Sequence, residues 1–165
     1  MKKVQLSHRF DFNLADVVAG REARYVNKDW WPEIIESKIE NEEEKDGILY
    51  VSRRVVLQNK LPANKILKEG HYTFIEHTKQ RLADNFYEIE VHLESHKSLL
   101  DFTENSQYRQ FENEGQVHTE RDIELAVHMK VPLLGPIAET FICKEFANMS
   151  DKDRDIIIEY LTSLN

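Results

Sequence analysis

One cysteine, five glycines and four prolines are all that 165 residues contain of these types. A lone thiol, Cys143, closes no internal disulfide, so a cystine-stapled scaffold is excluded. Its place among apolar residues of helical spacing marks a small buried hydrophobe. With glycine and proline this scarce, collagen-like and low-complexity chains are excluded as well. No apolar run approaches the roughly 18 residues of a membrane-spanning helix. Met1-Lys2-Lys3 is not followed by the apolar stretch that a signal peptide requires.

Basic residues are the minority. Twenty-two Lys and Arg face thirty Asp and Glu, a net charge of -8. Nucleic acid is disfavoured, because phosphate contacts need clustered Lys and Arg. Standing adsorption to an anionic membrane is disfavoured too, which leaves transient contact at most. The phosphate-cradling, dinucleotide and nucleophile-elbow glycine motifs are missing. His92 and His96 are four apart, but the first falls on an expected strand and the second in the next turn. They do not share a helical face as zinc ligands would. The expectation is no metal, no cofactor and a reducing, cytoplasmic setting.

What is present is periodicity. From Gln116 onward, Val117, Thr119, Arg121, Ile123, Leu125, Val127, Met129 and Val131 share one side of a strand. Pro132, Gly135 and Pro136 stop that run, and proline suits a first helical turn. Ala138, Phe141, Ile142, Phe146, Met149, Ile156, Ile157, Tyr160, Leu161 and Leu164 then follow a helical period. A helix this long needs a broad apolar surface, and a curved sheet provides one.

Upstream, Val4, Leu6, His8, Phe10 and Phe12 mark a first strand, and Asn13 caps a helix from Leu14 to about Tyr25. Gly20 weakens that helix. Asp29-Trp30-Trp31-Pro32 is a corner whose tryptophans plug the core or form an aromatic lip. Strands follow at 35–41, 48–57, 71–79, 86–94 and 99–111, with an acidic turn Glu42–Gly47. Leu61–Leu67 forms a short helix or a packed loop. Short turns imply antiparallel neighbours. The expected fold is α+β: one domain, 1–165, with about seven antiparallel strands in a curved sheet wrapped around a long C-terminal helix.

This order resembles the START-like, or helix-grip, superfamily, whose sheet and C-terminal helix enclose a cavity for hydrophobic ligands. Within it, Arg24-Tyr25-Val26-Asn27 resembles the Arg/Lys-Tyr-Pro-Asn segment of the PRELI-like lipid-transfer branch, with Val26 in place of the proline. Gly47 to Val56 resembles that branch's glycine turn and arginine-containing third strand, and Leu61-Pro62 its proline before a short loop. Small bacterial START-like proteins are similar to the same degree. The resemblance implies a lipid or other hydrophobic small molecule as partner.

Two arginines stand on apolar strand faces. Arg121 shares its side with Ile123, Leu125 and Val127; Arg53 faces inward if Leu49, Val51, Val55 and Leu57 do. The opposite phase turns Tyr50, Ser52 and Arg54 inward instead. A buried guanidinium requires a partner. It is either a ligand's anionic head group or an internal carboxylate, with Glu76 and Glu104 as candidates. Arg121 is the first choice of anchor and Arg53 the second. Tyr87 and Tyr108 read as core residues whose hydroxyls reach a rim. The expected pocket lies between Val117–Val131 and Ile137–Met149, walled by Ile123, Leu125, Val127, Met129, Phe141 and Ile142. Glu76, Asp101 and Glu104 become acid-base candidates only if a cavity raises their pKa, and no nucleophile stands beside them in sequence. Three function classes follow: a hydrophobic-ligand binder, a cyclase- or hydratase-like enzyme using a cavity carboxylate, and a ligand-free interaction module. The first fits best, and no catalytic residue is assigned.

Overall fold

A computed structural model of the protein describes residues 1–58, 70–133 and 135–165. The segment Leu61–Leu67 lies outside the described residues. Strand β1 (Lys2–Phe10) leads into helix α1 (Leu14–Ala23). Asn13 caps α1 as its side chain predicts, accepting from the amide of Asp16 at 2.8 Å. Strands β2 (Ile34–Lys45), β3 (Ile48–Gln58), β4 (His71–Arg81), β5 (Phe86–Leu93), β6 (Leu100–Asn113) and β7 (Gln116–Met129) follow, and helix α2 (Gly135–Ser163) ends the chain. The sheet order is β1-β7-β6-β5-β4-β3-β2, antiparallel throughout. This is the expected curved sheet gripping a C-terminal helix.

The acidic run is strand and not turn. Glu42, Glu43 and Glu44 pair with Val51, Tyr50 and Leu49, so β2 continues to Lys45. Only Asp46 and Gly47 make the turn, both at positive φ (53° and 75°). Two such residues match the right-handed twist of the strands they join, so a two-residue loop suffices. Solvent on the exposed side of an edge strand accepts consecutive glutamates that a central strand would reject.

Helix α2 packs against β1, β7 and α1. Its inner stripe is Glu139, Ile142, Cys143, Phe146, Ile157 and Leu161. Phe146 stacks on Phe102 at 4.2 Å between centroids and meets Phe74 edge-on at 6.3 Å. Burying an aromatic of this size stabilises by roughly 2–3 kcal/mol. Cys143 is buried, as its apolar neighbours require. Trp31 is buried and Trp30 half-buried, each 5.7 Å from Tyr160, so the corner plugs one end of the core. Gly20 has a reason that helix propensity misses. A Cβ there would lie 3.1 Å from Leu161 and 3.2 Å from Ile157, so glycine sets the approach of α1 to α2.

Candidate functional site

The concave face carries Val55, Tyr72, Phe74, Tyr87, Ile89, Val91, Leu100, Phe102, Ile123, Leu125, Val127 and Met129, all buried. The phase of β7 is therefore the expected one. So is the first of the two phases considered for β3, since Arg53 and Val55 are its buried residues. A polar cluster interrupts this apolar wall where α1, β3, β4 and the middle of α2 converge.

The cluster begins on α1. Leu14, Val17, Val18 and Arg21 occupy one helical face, which carries the Arg21 guanidinium into the core. Arg21 donates to Glu76 at 3.2 Å, to the Tyr25 hydroxyl at 2.8 Å and to the Tyr87 hydroxyl at 3.5 Å. Arg24 donates to the other oxygen of Glu76 at 2.6 Å. Tyr25 donates its hydroxyl to Glu76 as well. Arg53 lies 3.7 Å over the Tyr25 ring and donates to Glu22 at 2.8 Å. Burial alone would raise the Glu76 carboxyl, yet Arg21, Arg24 and the Tyr25 hydrogen bond hold it down at about 2. Burial dominates at Tyr25, whose phenol is pushed up to about 12 despite the arginines around it.

Asp153, at the middle of α2, joins this cluster to a second one. It accepts from Trp31 at 3.3 Å and from Arg121 at 3.3 Å, and lies 3.7 Å from Arg24. Burial works against its charge, but Arg24, Arg121 and Arg21 keep it below the usual carboxylate range. Arg121 also donates to His8, to Tyr108 at 3.2 Å and to the carbonyl of Ser150 at 3.1 Å.

Several sequence expectations change here. The partners of the inward arginines are Glu22 for Arg53 and Asp153 for Arg121. Glu76, paired in register with Arg53, turns to α1 instead, and Glu104 accepts from Ser106 at 2.8 Å. The hydroxyls of Tyr87 and Tyr108 meet buried arginines and not a rim; their rings pack edge to face at 5.2 Å. Ile142 faces inward as expected, but Phe141 does not. One residue of α-helix turns about 100°, so a stripe through Glu139, Ile142 and Phe146 leaves Ile137 and Phe141 on the outer face, 73% and 41% exposed. Sequence reasoning does not single out Arg21, Arg24, Tyr25, Glu22 or Asp153 as site residues. The signal for Arg21 is its place in the 14, 17, 18, 21 pattern. For Asp153 it is the polar break between Met149 and Ile156.

Among the described residues no three His, Cys, Asp or Glu side chains gather in a way that would hold a metal. Nor is any described helix long and apolar enough to cross a membrane.

A curved antiparallel sheet closed over a C-terminal helix, with arginines set into its concave apolar wall, defines a START-like protein of the helix-grip class. The PRELI-like family model matches residues 15–165, and the chain belongs to the PRELI-like family. Solved structures share the fold at low identity. Ara h 8.0201 has a TM-score of 0.64 at 10% identity over 98% of each chain. The Zhui aromatase/cyclase from Streptomyces sp. R1128 has a TM-score of 0.65 at 12% identity, over 98% of this chain and 93% of that one. TTHA0849 from Thermus thermophilus has a TM-score of 0.64 at 8% identity over 99% of each. At such identities the likeness is one of fold. A search of curated protein sequences finds no match.

Proposed function

We propose that the protein binds a lipid or other hydrophobic small molecule between the concave sheet and α2, and carries it between sites. The family and fold support a hydrophobic ligand in general. The observation that carries the finer reading is an unmet guanidinium donor on the apolar wall. Four arginines, Arg21, Arg24, Arg53 and Arg121, converge on the ion-paired carboxylates Glu22, Glu76 and Asp153, with Glu104 on the same wall near Arg121. The buried Nε of Arg24 has no partner among the described residues. A surplus guanidinium donor beside an apolar wall suits an amphiphile with an anionic group. In this reading Ile123, Leu125, Val127, Met129 and Ile142 face the apolar part, with Tyr87 and Tyr108 beside the polar end. Arg24 and Arg53 then hold the head group, while Arg121 fastens α2 to the sheet.

The enzyme alternative calls for a buried Glu or Asp beside a tyrosine or histidine, and Glu76 beside Tyr25 has that placement. Arg21 and Arg24 hold its carboxyl down at about 2, so near neutral pH it is a carboxylate tied to arginines, with no proton to give. Binding is thereby favoured over acid-base chemistry.

Native mass spectrometry of freshly purified protein tests the proposal. The expected result is a non-covalent adduct that dissociates as an anionic amphiphile. Apo mass alone, together with failure to bind fluorescent fatty-acid probes, overturns it.

A further inference from the structure

Arg53 differs from the other three arginines of the cluster in what faces it. Glu76 serves Arg21 and Arg24, and Asp153 serves Arg24 and Arg121. Those two carboxylate side chains are 4% and 19% exposed. Glu22, which serves Arg53, is 40% exposed. Glu76 is the cross-strand neighbour of Arg53 in register, yet it turns to α1. Arg53 is thereby left with a partner on the solvent side of the cluster.

The Arg53 guanidinium itself is held in place. Arg53 is buried, and its guanidinium lies 3.7 Å over the Tyr25 ring. A stacked guanidinium keeps its donors in its own plane. One of them reaches Glu22 at 2.8 Å, and the other Glu22 oxygen lies 3.7 Å from Arg21. Glu76, by contrast, is gripped by Arg21, Arg24 and Tyr25. Among the described residues, one hydrogen bond to a long, half-exposed side chain is the weakest tie in this cluster.

We infer that Glu22 is the internal occupant of an anion seat on Arg53, and that the anionic group of a ligand binds there by displacing it. The occupant itself shows that the seat takes an anion: a carboxylate oxygen lies at charge-assisted hydrogen-bond distance from a fixed guanidinium. Its exposure lets the Glu22 side chain swing away about its own bonds without moving α1. Exchange keeps Arg53 paired before and after, so neither loading nor release leaves a buried cation bare. Glu22 then does two things. It weakens every anionic ligand according to the fraction of time it fills the seat. It also speeds release, because it returns as the ligand leaves. A neutral amphiphile does not compete for the seat and feels neither effect. The seat is part of the ligand site proposed above, so the inference rests on that reading.

The test uses the full chain, a fluorescent fatty acid and its methyl ester. Two variants separate occupancy from charge. Glu22→Gln removes the charge. Glu22→Asp keeps the charge but is one methylene shorter, which withdraws it from Arg53. Both should bind the acid roughly three- to tenfold more tightly than the parent, the range for a seat filled about 70–90% of the time. Both should bind the ester as the parent does. In stopped-flow displacement the acid should leave both variants more slowly. The gain from Glu22→Gln should vanish in an Arg53→Met background. Side chain 22 is half-exposed, and a thermal midpoint close to the parent's checks that its variants fold. Equal gains for acid and ester overturn the inference, because the substitution then acts on the apolar part of the ligand. A gain in Glu22→Gln with none in Glu22→Asp overturns it too, by assigning the effect to net charge alone. A gain that persists without Arg53 does the same, by assigning it to another residue. If neither variant gains while the parent binds the acid, the exchange falls and the ligand reading stands. If parent and variants bind neither probe, both fall together.

Discussion

Arg121 donates to Nδ1 of His8 through Nε at 3.1 Å and through Nη2 at 2.6 Å. A guanidinium has no acceptor, so Nδ1 must accept. His8 is therefore neutral, with its proton on Nε2, where Asp151 accepts it at 2.7 Å. Burial and Arg121 lower the His8 pKa from 6.5, while Asp151 pulls it back in part. The relay ties the edge strand β1 and its neighbour β7 to the middle of α2.

The pH dependence follows from that arrangement. Because the folded pKa is depressed, the unfolded chain takes up the proton first. The stability contributed by neutral His8 is present above about 6.5 and is lost as pH falls through the folded value. Urea unfolding should show stability decreasing as pH falls below about 6.5. In His8→Gln, whose amide can accept from Arg121 and donate to Asp151 without titrating, that decrease should flatten. An unchanged slope in His8→Gln would place the titrating group elsewhere.

Glu76 gives the second acid limb. Its folded pKa of about 2 lies below the ordinary glutamate value of 4.5, so its contribution is present above 4.5 and is lost as pH falls toward 2. That shift corresponds to a contribution on the order of 3 kcal/mol. Glu76→Gln strips the shared partner from Arg21 and Arg24 and should destabilise by about 3–5 kcal/mol at neutral pH. It should also reduce the loss of stability below about pH 4.5. A variant as stable as the parent in chemical denaturation would show that the arginines find other partners.

Gly20→Val tests the contact between the two helices. Propensity alone predicts a gain, because valine is a better helix former than glycine. The structure predicts the opposite sign, since even a Cβ reaches 3.1 Å from Leu161. Overpacking of this kind costs about 1–3 kcal/mol. A melting temperature at or above that of the parent would mean that Leu161 and Ile157 move aside freely.

Much of the fold was legible because strand and helix periods are carried by apolar side chains, and β7 and α2 repeat theirs many times. The face of β3 stayed ambiguous because residues 48–57 are apolar on both sides around Arg53 and Arg54; only the docking of α1 selects Arg53 as the buried one. The length of β2 was hidden because its acidic end gains pairing from β3 and not from its own propensity. Glu42–Glu44 therefore read as turn. The polar cluster was half legible. Arg53 and Arg121 announced themselves by breaking apolar strand faces. Their partners come from helices, where a charged residue at an inner position looks like a solvated one until the packing is known. Phe141 failed for a related reason: α2 is apolar enough around its first turns that two facings are possible, and the packing leaves Phe141 on the outer one.

Arg24 and Arg121 should separate when each is changed. Every donor direction of Arg121 is met within the protein, by His8, Tyr108, Asp153 and Ser150. Arg121→Met strips a partner from half-buried Asp153 and leaves His8 and Tyr108 without their donor, so it should destabilise by about 3 kcal/mol. It should shift binding of anionic and neutral amphiphiles alike. Arg24 keeps one buried donor, Nε, without a partner among the described residues. Arg24→Lys retains the positive charge beside Glu76 and Asp153 but cannot supply that donor. A charge-assisted hydrogen bond contributes roughly 1.5–3 kcal/mol, which is about ten- to a hundred-fold in affinity. Titration of a fluorescent anionic fatty acid should therefore weaken by about that factor in Arg24→Lys, while its neutral methyl ester binds as before. Equal loss for acid and ester would assign Arg24 to the structural network with Arg121. The head group would then have to be held at Arg53, whose bond to half-exposed Glu22 is the one most open to exchange for a ligand.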